Sequence, residues 1–434
     1  MSDQQTKQLL GVGLVVVFGL CYFLTGSDPL GLFTGNNGTS QPSSGIVQEQ
    51  IVPEEESESQ TPSTEEESES QAPSTEEESG SQAPSTEEEV TEPISQPETA
   101  PSGGDWWQVY FTDPVNINNP DDLSGSLAEQ LIKLINNAEY SIHIASFEFN
   151  LTPVAEALIE ARNRGVDVRW VTDDEHGREA DEEEGHGQFL LMEQDGIEIR
   201  DDARSGLMHN KFWIFDDQIV WTGSTNITKN GNFRNNNNAV VIESADVAAI
   251  YEREFQELWD GEFGVKSTST VELQEAMVDG TPILVLFGAE DDVISKLIPL
   301  VESAQKNIRF MAFSFTHDDL GAAVLDRLLD DVDVMGIFER RGSETKHSEL
   351  TSLYCVGALV NQDGNPGTFH HKAFVIDEEI VITGSFNFSN NANKSNDENV
   401  IVMINKDIAQ LYLQEFDRRW AESKEPDPEK LDCG

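Results

Sequence analysis

The stretch His209-Asn210-Lys211-Phe212-Trp213-Ile214-Phe215-Asp216 returns later in the chain as His370-His371-Lys372-Ala373-Phe374-Val375-Ile376-Asp377. Both copies read H-x-K-x4-D. Each is followed, at the same distance, by Gly-Ser-x-Asn: Gly223-Ser224-Thr225-Asn226 and Gly384-Ser385-Phe386-Asn387. Side chains alternate along a strand, so a His and a Lys two residues apart share one face while the residue between them points away. The apolar run then carries the strand into a core. Gly-Ser-x-Asn ends the next strand and offers a hydroxyl, an amide and backbone N–H groups. Doubled, the set holds two imidazoles, two ammonium groups, two hydroxyls and two amides. Two cations among neutral donors suit the charge of a phosphodiester transition state. Two imidazoles suit covalent catalysis, one attacking phosphorus and the other protonating the departing oxygen. This set draws its positive charge from lysine and calls for no metal and no cofactor.

Reading outward, the segments before the motif repeat as well. Apolar residues 109–111 read as a strand, and 127–136 as a helix with Leu127, Leu131, Ile132 and Ile135 at helical spacing. Strand 141–147, helix 153–164 with Gly165 as its cap, and strand 166–171 follow. The second copy runs in the same order: strand 283–287, helix 293–304, strand 308–315, helix 319–329 and strand 332–338. Phe147-Glu148-Phe149 aligns with Phe313-Ser314-Phe315. Alternating strands and helices predict an α/β fold with a mixed or largely parallel sheet, and duplication predicts two halves about a pseudo-twofold axis. Equivalent residues then converge where the halves meet.

The paired motifs, each with Gly-Ser-x-Asn in register, resemble the phospholipase D superfamily over roughly residues 105–424. The resemblance implies two tandem phospholipase D-like α/β/α units forming a pseudo-twofold dimer. It also implies metal-independent phosphodiester cleavage through a phosphohistidine. By resemblance, His209 and His370 are the nucleophile and acid pair, and His209 is favoured as nucleophile. Lys211, Lys372, Asn226 and Asn387 bind phosphate, and Ser224 and Ser385 support them. Asp216 and Asp377 complete the motif and are expected to be structural. The family often carries a Glu 28 residues after the histidine. The second copy has Glu398 there, whereas the first has Asn237. A carboxylate stabilises a charged imidazole and an amide only orients it, so the halves are inequivalent.

The remaining sequence bounds the partners. The 434 residues carry 27 basic and 81 acidic side chains, a formal charge of −54. That excess opposes undirected binding to nucleic acid or to anionic lipid. Residues 9–24 are uncharged and predict a transmembrane helix or signal anchor over 9–26, after a tail of residues 1–8. Lys7 before it and acidic residues after it place the catalytic part outside the cytoplasm, in a single-pass arrangement. Residues 27–104 are rich in Pro, Ser, Thr and Glu, with Pro-Ser-Thr-Glu-Glu-Glu recurring at Pro62, Pro73 and Pro84. With little apolar surface to bury they predict a disordered acidic linker. The expected domains are repeat 1 at 105–265, a connector at 266–281, repeat 2 at 282–424 and a tail at 425–434. Three cysteines exclude a disulfide scaffold; free thiols are expected at Cys355 and Cys433, with a bond between those two as the alternative. A phospholipid is the favoured substrate. Alternatives are a nuclease of the short cardiolipin-hydrolase and nuclease branch, which Gly206-Leu207-Met208-His209-Asn210-Lys211-Phe212 resembles, and an inactive membrane-tethered binding protein. The catalytic unit is expected to be monomeric, as a fused pseudo-dimer.

Other signals read as structural. His371 should point off the site face, and His143 and His317 sit on or beside strands. His176 and His186 lie in an acidic loop expected to be solvated. Trp106-Trp107 is expected to cover a core edge.

Overall fold

The structure, a computed structural model, describes residues 102–114, 122–269 and 273–433. The expected anchor over 9–26 lies outside the described residues, as does nearly all of the acidic linker. Among the described residues no helix is long and apolar enough to cross a membrane.

The first half supplies β1 (Ser102–Gly103), β2 (Trp107–Phe111), β3 (Ser141–Ser146), β4 (Asp167–Thr172), β5 (Glu198–Asp201), β6 (Lys211–Phe215), β7 (Ile219–Gly223) and β8 (Asn238–Glu243). The second supplies β9 (Glu275–Val278), β10 (Thr281–Phe287), β11 (Asn307–Ala312), β12 (Asp333–Phe338), β13 (Leu359–Gln362), β14 (Lys372–Ile376), β15 (Ile380–Gly384) and β16 (Asn399–Ile404). The sheet orders are β1-β2-β8-β7-β6-β3-β4-β5 and β13-β12-β11-β14-β15-β16-β10-β9, so the second repeats the first. In each sheet only the last two pairings on one side are parallel, β3 with β4 with β5 and β11 with β12 with β13. The sheets are therefore mixed, and the largely parallel alternative is incorrect. The reason lies in the motif, whose strands return as tight hairpins, β6 to β7 and β14 to β15. Strand β9 falls inside the segment read as a connector.

Helix Leu127–Asn137 forms because Ser126 caps it, accepting from the Glu129 amide, while Leu127, Leu131 and Ile135 face inward. Helix Thr152–Arg164 ends at Gly165, whose φ of 102° suits the left-handed cap position. These helices cover the outer face of the first sheet, and Val293–Glu302 and Asp318–Leu329 cover the second. Helices Ala245–Trp259 and Lys406–Glu422 each touch strands of both sheets and lie between them. The central core joins Phe212, Ile214 and Tyr251 of one half to Phe287, Val375 and Tyr412 of the other. Trp107 is buried at the edge of that core and Trp106 packs against it. His143 stacks on Phe255 there, with centroids 4.7 Å apart, and Glu252 lies 2.9 Å from its Nδ1.

Two expectations fail. Cys355 and Cys433 are bonded to each other with Cα atoms 5.4 Å apart, rather than free. The tail returns over the second half, where Leu431 joins the outer core and brings Cys433 to the end of helix Glu349–Cys355. The loop at 173–184 is not simply solvated: Asp173 is 1% exposed and Gly177 is buried.

Candidate active site

Each motif histidine sits two residues before a strand whose first residue is the motif lysine. His209 and His370 are buried, as are Lys211 and Lys372. Nδ1 of His209 lies 2.8 Å from Oε2 of Glu398, across the boundary between halves. The Ser385 hydroxyl donates to the same oxygen at 2.6 Å. Reciprocally, Nδ1 of His370 lies 2.9 Å from Oδ1 of Asn237, which also accepts from the Ser224 hydroxyl at 2.8 Å. The pairing is thus crossed, each histidine being held by the other half. The Asn237 amide is fixed by its Nδ2, which donates to the Gly231 carbonyl at 2.9 Å. Its Oδ1 is therefore the acceptor, and Nδ1 of His370 carries a proton.

The backbone is crossed in the same way. His209 N–H donates to the Asp397 carbonyl at 2.9 Å and His370 N–H to the Asn236 carbonyl at 3.0 Å. Behind the histidines, Thr222 bonds Asn399 at 2.6 Å and Thr383 bonds Asn238 at 3.0 Å, again between halves. His371 points into this layer, between Asn238 and Glu415, away from the site.

Burial governs the electrostatics. It lowers the His370 pKa well below the ordinary imidazole value, and the positive charges of Lys372, Lys211 and His209 push the same way. It also raises the Glu398 carboxyl to about 8, against the pull of Lys211, the Ser385 hydroxyl and Lys372. Groups from both halves thus act on one site. Lys211 and Lys372 each donate to the carbonyl of their own motif histidine, at 3.0 and 3.3 Å. Each ammonium also lies over an aromatic ring, Lys211 over Phe147 at 4.9 Å and Lys372 over Phe313 at 4.7 Å. The same rings meet His209 and His370 edge-on.

Gly-Ser-x-Asn closes the site. Gly223 and Gly384 adopt φ of 144° and 145°, and a Cβ there would lie 2.4 and 2.1 Å from the Asn238 and Asn399 carbonyls. Only glycine lets the strand approach that closely and place the next hydroxyl. Asn226 and Asn387 each keep a buried Oδ1 without a hydrogen-bond partner, and Nδ2 of Asn226 donates to Glu148 at 3.1 Å. Asp216 and Asp377, grouped with the motif in the sequence, do not join this cluster. They sit in the hairpin turns at the opposite strand ends, about 15 Å away at roughly 3.3 Å per residue. Asp216 accepts the amides of Glu139, Tyr140 and Ser141, and Asp377 those of Gln305, Lys306 and Asn307.

Three contributions escaped the sequence reading. Phe147 and Phe313 contact both charged motif residues, although strand-end aromatics usually mean packing. Asp173 and Glu339 follow equivalent strands and accept the amides of Met208 and Phe369, the residues before the two histidines. An acid at the same place in both repeats was the available signal. His176, read as solvated, packs on Phe147 with centroids 4.9 Å apart and bonds Asp173 at 3.0 Å, which raises its pKa.

The profile of the family described as "Cardiolipin synthase, PLD-like domain" matches residues 131–259 and 297–420. A mitochondrial cardiolipin hydrolase of Xenopus tropicalis is 33% identical over 132 residues, which is 30% of this chain and 63% of that protein. A phospholipase D of Rickettsia bellii is 35% identical over 116 residues, 27% of this chain and 58% of that protein. The chain thus spans about three fifths of the length of these relatives. The solved phosphatidylserine synthase of Haemophilus influenzae superposes with a TM-score of 0.53 over 73% of this chain and 87% of that one. At 15% identity this speaks for the fold alone.

Proposed function

Because the chain belongs to the PLD-like family, whose profile covers more than half of it, we propose that it is a hydrolase of phosphodiesters, with phospholipids favoured, working through a phosphohistidine on His209. The observation that carries this reading is the crossed pairing, Glu398 on His209 and Asn237 on His370. The nucleophile acquires positive charge when Nε2 bonds to phosphorus; that charge favours the ionised form of Glu398, whose oxygen 2.8 Å from Nδ1 then offsets it. The acid must release its proton readily. His370 is held by a neutral amide among lysines, which weakens its hold on a proton.

The Nε2 lone pair of His209 attacks phosphorus opposite the departing oxygen. The P–O bond breaks, and His370, which enters this step as the doubly protonated imidazolium, passes its Nε2 proton to that oxygen to release an alcohol. Its Nδ1 proton stays in the hydrogen bond to Asn237. Water then attacks phosphorus from the vacated side and gives its proton to Nε2 of His370. The N–P bond breaks and its electron pair returns to His209, leaving a phosphomonoester. Lys211, Lys372, Asn226 and Asn387 hold the non-bridging oxygens through both steps, and Ser224 and Ser385 brace Asn237 and Glu398. Asp216 and Asp377 hold the fold.

The disulfide Cys355–Cys433 supports a non-cytosolic location, since such bonds persist in oxidising compartments. That agrees with an anchor over 9–26 and a catalytic part beyond the membrane. The test is turnover of the full chain on bis(p-nitrophenyl) phosphate, phosphatidylcholine, cardiolipin and single-stranded DNA in excess EDTA. Turnover of a lipid above DNA is expected. Preference for DNA would favour the nuclease alternative, and no turnover of any diester the binding-protein alternative. Loss on chelation with recovery on added zinc or magnesium would overturn the lysine-based mechanism.

A further inference from the structure

The floor of the site is nearly symmetric, but its rim is not. The loop after β4 reads Asp173-Asp174-Glu175, and the equivalent loop after β12 reads Glu339-Arg340-Arg341. Asp173 and Glu339 play the same part under the two histidines, and the two residues that follow reverse in charge. The guanidinium of Arg341 is anchored at the His370 side. Its Nε donates to Glu339 at 3.1 Å, and its Nη2 to the Gly367 carbonyl at 3.1 Å and the Thr368 hydroxyl at 2.7 Å. Thr368 is two residues from His370, and Arg341 remains 59% exposed. Arg340 beside it is exposed. Arg234, in the first half, borders the same segment through its backbone: its carbonyl accepts from Asn365 at 2.9 Å, and the neighbouring Asn235 accepts the Thr368 amide at 3.1 Å. Its exposed guanidinium donates to Asn230 at 3.1 Å and keeps other N–H groups. The position equivalent to Arg234 in the second half is Ser395.

Among the described residues the His209 side has no arginine pair to match, and its exposed base there is Lys394, beside Ser395. Asp174 and Glu175 replace the arginine pair, and Glu148 stands beside Asn226 where the other half has Ser314. Arg204, near His209, is engaged by the buried carboxylates of Asp202 and Asp397. The rim is thus uneven, with Asp174, Glu175 and Glu148 set against Lys394 beside His209 and with the arginines beside His370, in a chain whose formal charge is −54.

We propose that Arg234, Arg340 and Arg341 form a subsite for a second phosphate group of the substrate, carried by the portion that departs with the His370 proton. The proposal rests on the reading of His370 as the leaving-group acid. A guanidinium held by its Nε and one Nη keeps other N–H groups for phosphate oxygens, and its planar fork suits that geometry. The excess of carboxylates opposes an anion on the His209 side, so the substrate enters in one orientation. A diester with a second phosphate one alcohol away occurs in a lipid whose glycerol bridges two phosphates and in an oligonucleotide.

The experiment uses the full chain in neutral detergent and measures kcat/KM on two matched pairs. The lipid pair is cardiolipin and phosphatidylglycerol. The nucleotide pair is dithymidine monophosphate with and without a terminal phosphate. The quantity read is the ratio within each pair. The wild-type ratio should exceed one by about tenfold in one pair, the value of one good charge-assisted contact near the surface. It should fall towards one in Arg340→Gln/Arg341→Gln and in Arg234→Gln, and with added salt. Arg340 and Arg234 are exposed, so their single variants keep the test independent of the Arg341–Glu339 contact. The pair that shows the effect identifies the source of the phosphate. A ratio near one in both wild-type pairs, or one unchanged in every arginine variant, overturns the subsite while leaving hydrolysis standing. No turnover of any diester overturns the phosphodiesterase reading instead, and the subsite with it.

Discussion

Replacing Glu398 by Gln makes the second half resemble the first, with an amide on each histidine. The carboxylate oxygen lies 2.8 Å from His209 Nδ1, and both residues are almost fully buried. At an effective dielectric of about 20, opposite unit charges at that distance attract by about 6 kcal/mol, an upper bound. Desolvation and the hydrogen bond that Gln retains remove much of it. The difference between a charge-assisted and a neutral bond leaves about 2–3 kcal/mol. If His209 is the nucleophile, that amount is lost from the step that forms the phosphohistidine, so kcat/KM should fall by about 30- to 150-fold. The fall should be similar for bis(p-nitrophenyl) phosphate, whose leaving group needs no proton, and for an alkyl diester, which does. Asn237→Asp should behave differently. A carboxylate on His370 strengthens its hold on the proton, so the alkyl diester should slow while the nitrophenyl diester changes little. Steady-state rates on the two substrates, with acid-quench trapping of the phosphoryl enzyme, read this directly. A Glu398→Gln variant that slows only the alkyl diester would assign the acid to His209 and refute the reasoning. A fall below threefold on both substrates would show that the carboxylate does not act through the imidazole.

Stability should decline as pH rises from about 6.5 to 8.5. Burial raises Asp202 and Asp363 to about 7 and Glu290 and Glu398 to about 8, whereas unfolded carboxyls titrate near 4. The folded chain therefore binds more protons across this window, and losing them favours unfolding. The lowered pKa values of His370 and His371 act in the opposite sense only below about 6.5. A melting temperature that is flat or rising over the window would contradict these assignments. Cys433→Ser, or dithiothreitol on the wild type, should lower unfolding stability by up to about 4 kcal/mol, because the bond closes a span of 78 residues. Urea unfolding curves unchanged by both treatments would show that the tail adds nothing to the second half.

What could be read from the chain was whatever repeats or alternates locally. The strands and helices before each motif lie within a few residues of their expected places, and the H-x-K spacing puts both side chains on one edge. The Asn237 and Glu398 asymmetry was visible too, but not its partner. A residue 28 positions after one histidine can reach the histidine of either half, and only the juxtaposition of β8 and β16 decides. Asp173 shows a different limit. Within a run of acids it looks solvated, yet the Met208 amide and the His176 ring and amide surround its carboxylate. Cys433 shows a third, since its distance from Cys355 depends on how the tail packs after the last helix.

The crossed pairing has a consequence for how such a site can change over generations. Were two identical copies of one half to associate, every substitution would occur twice. Exchanging a carboxylate for an amide beside one histidine would exchange it beside the other, and nucleophile and acid would share one compromise environment. With both halves in one chain, position 237 and position 398 can vary independently. One ring can be given a counter-charge while the other is deprived of it, as Glu398 and Asn237 have done. The same freedom lets the rims diverge in charge, at Asp174 and Glu175 on one side and Arg340 and Arg341 on the other. Duplication within one chain thus frees each half from having to be the mirror of its partner.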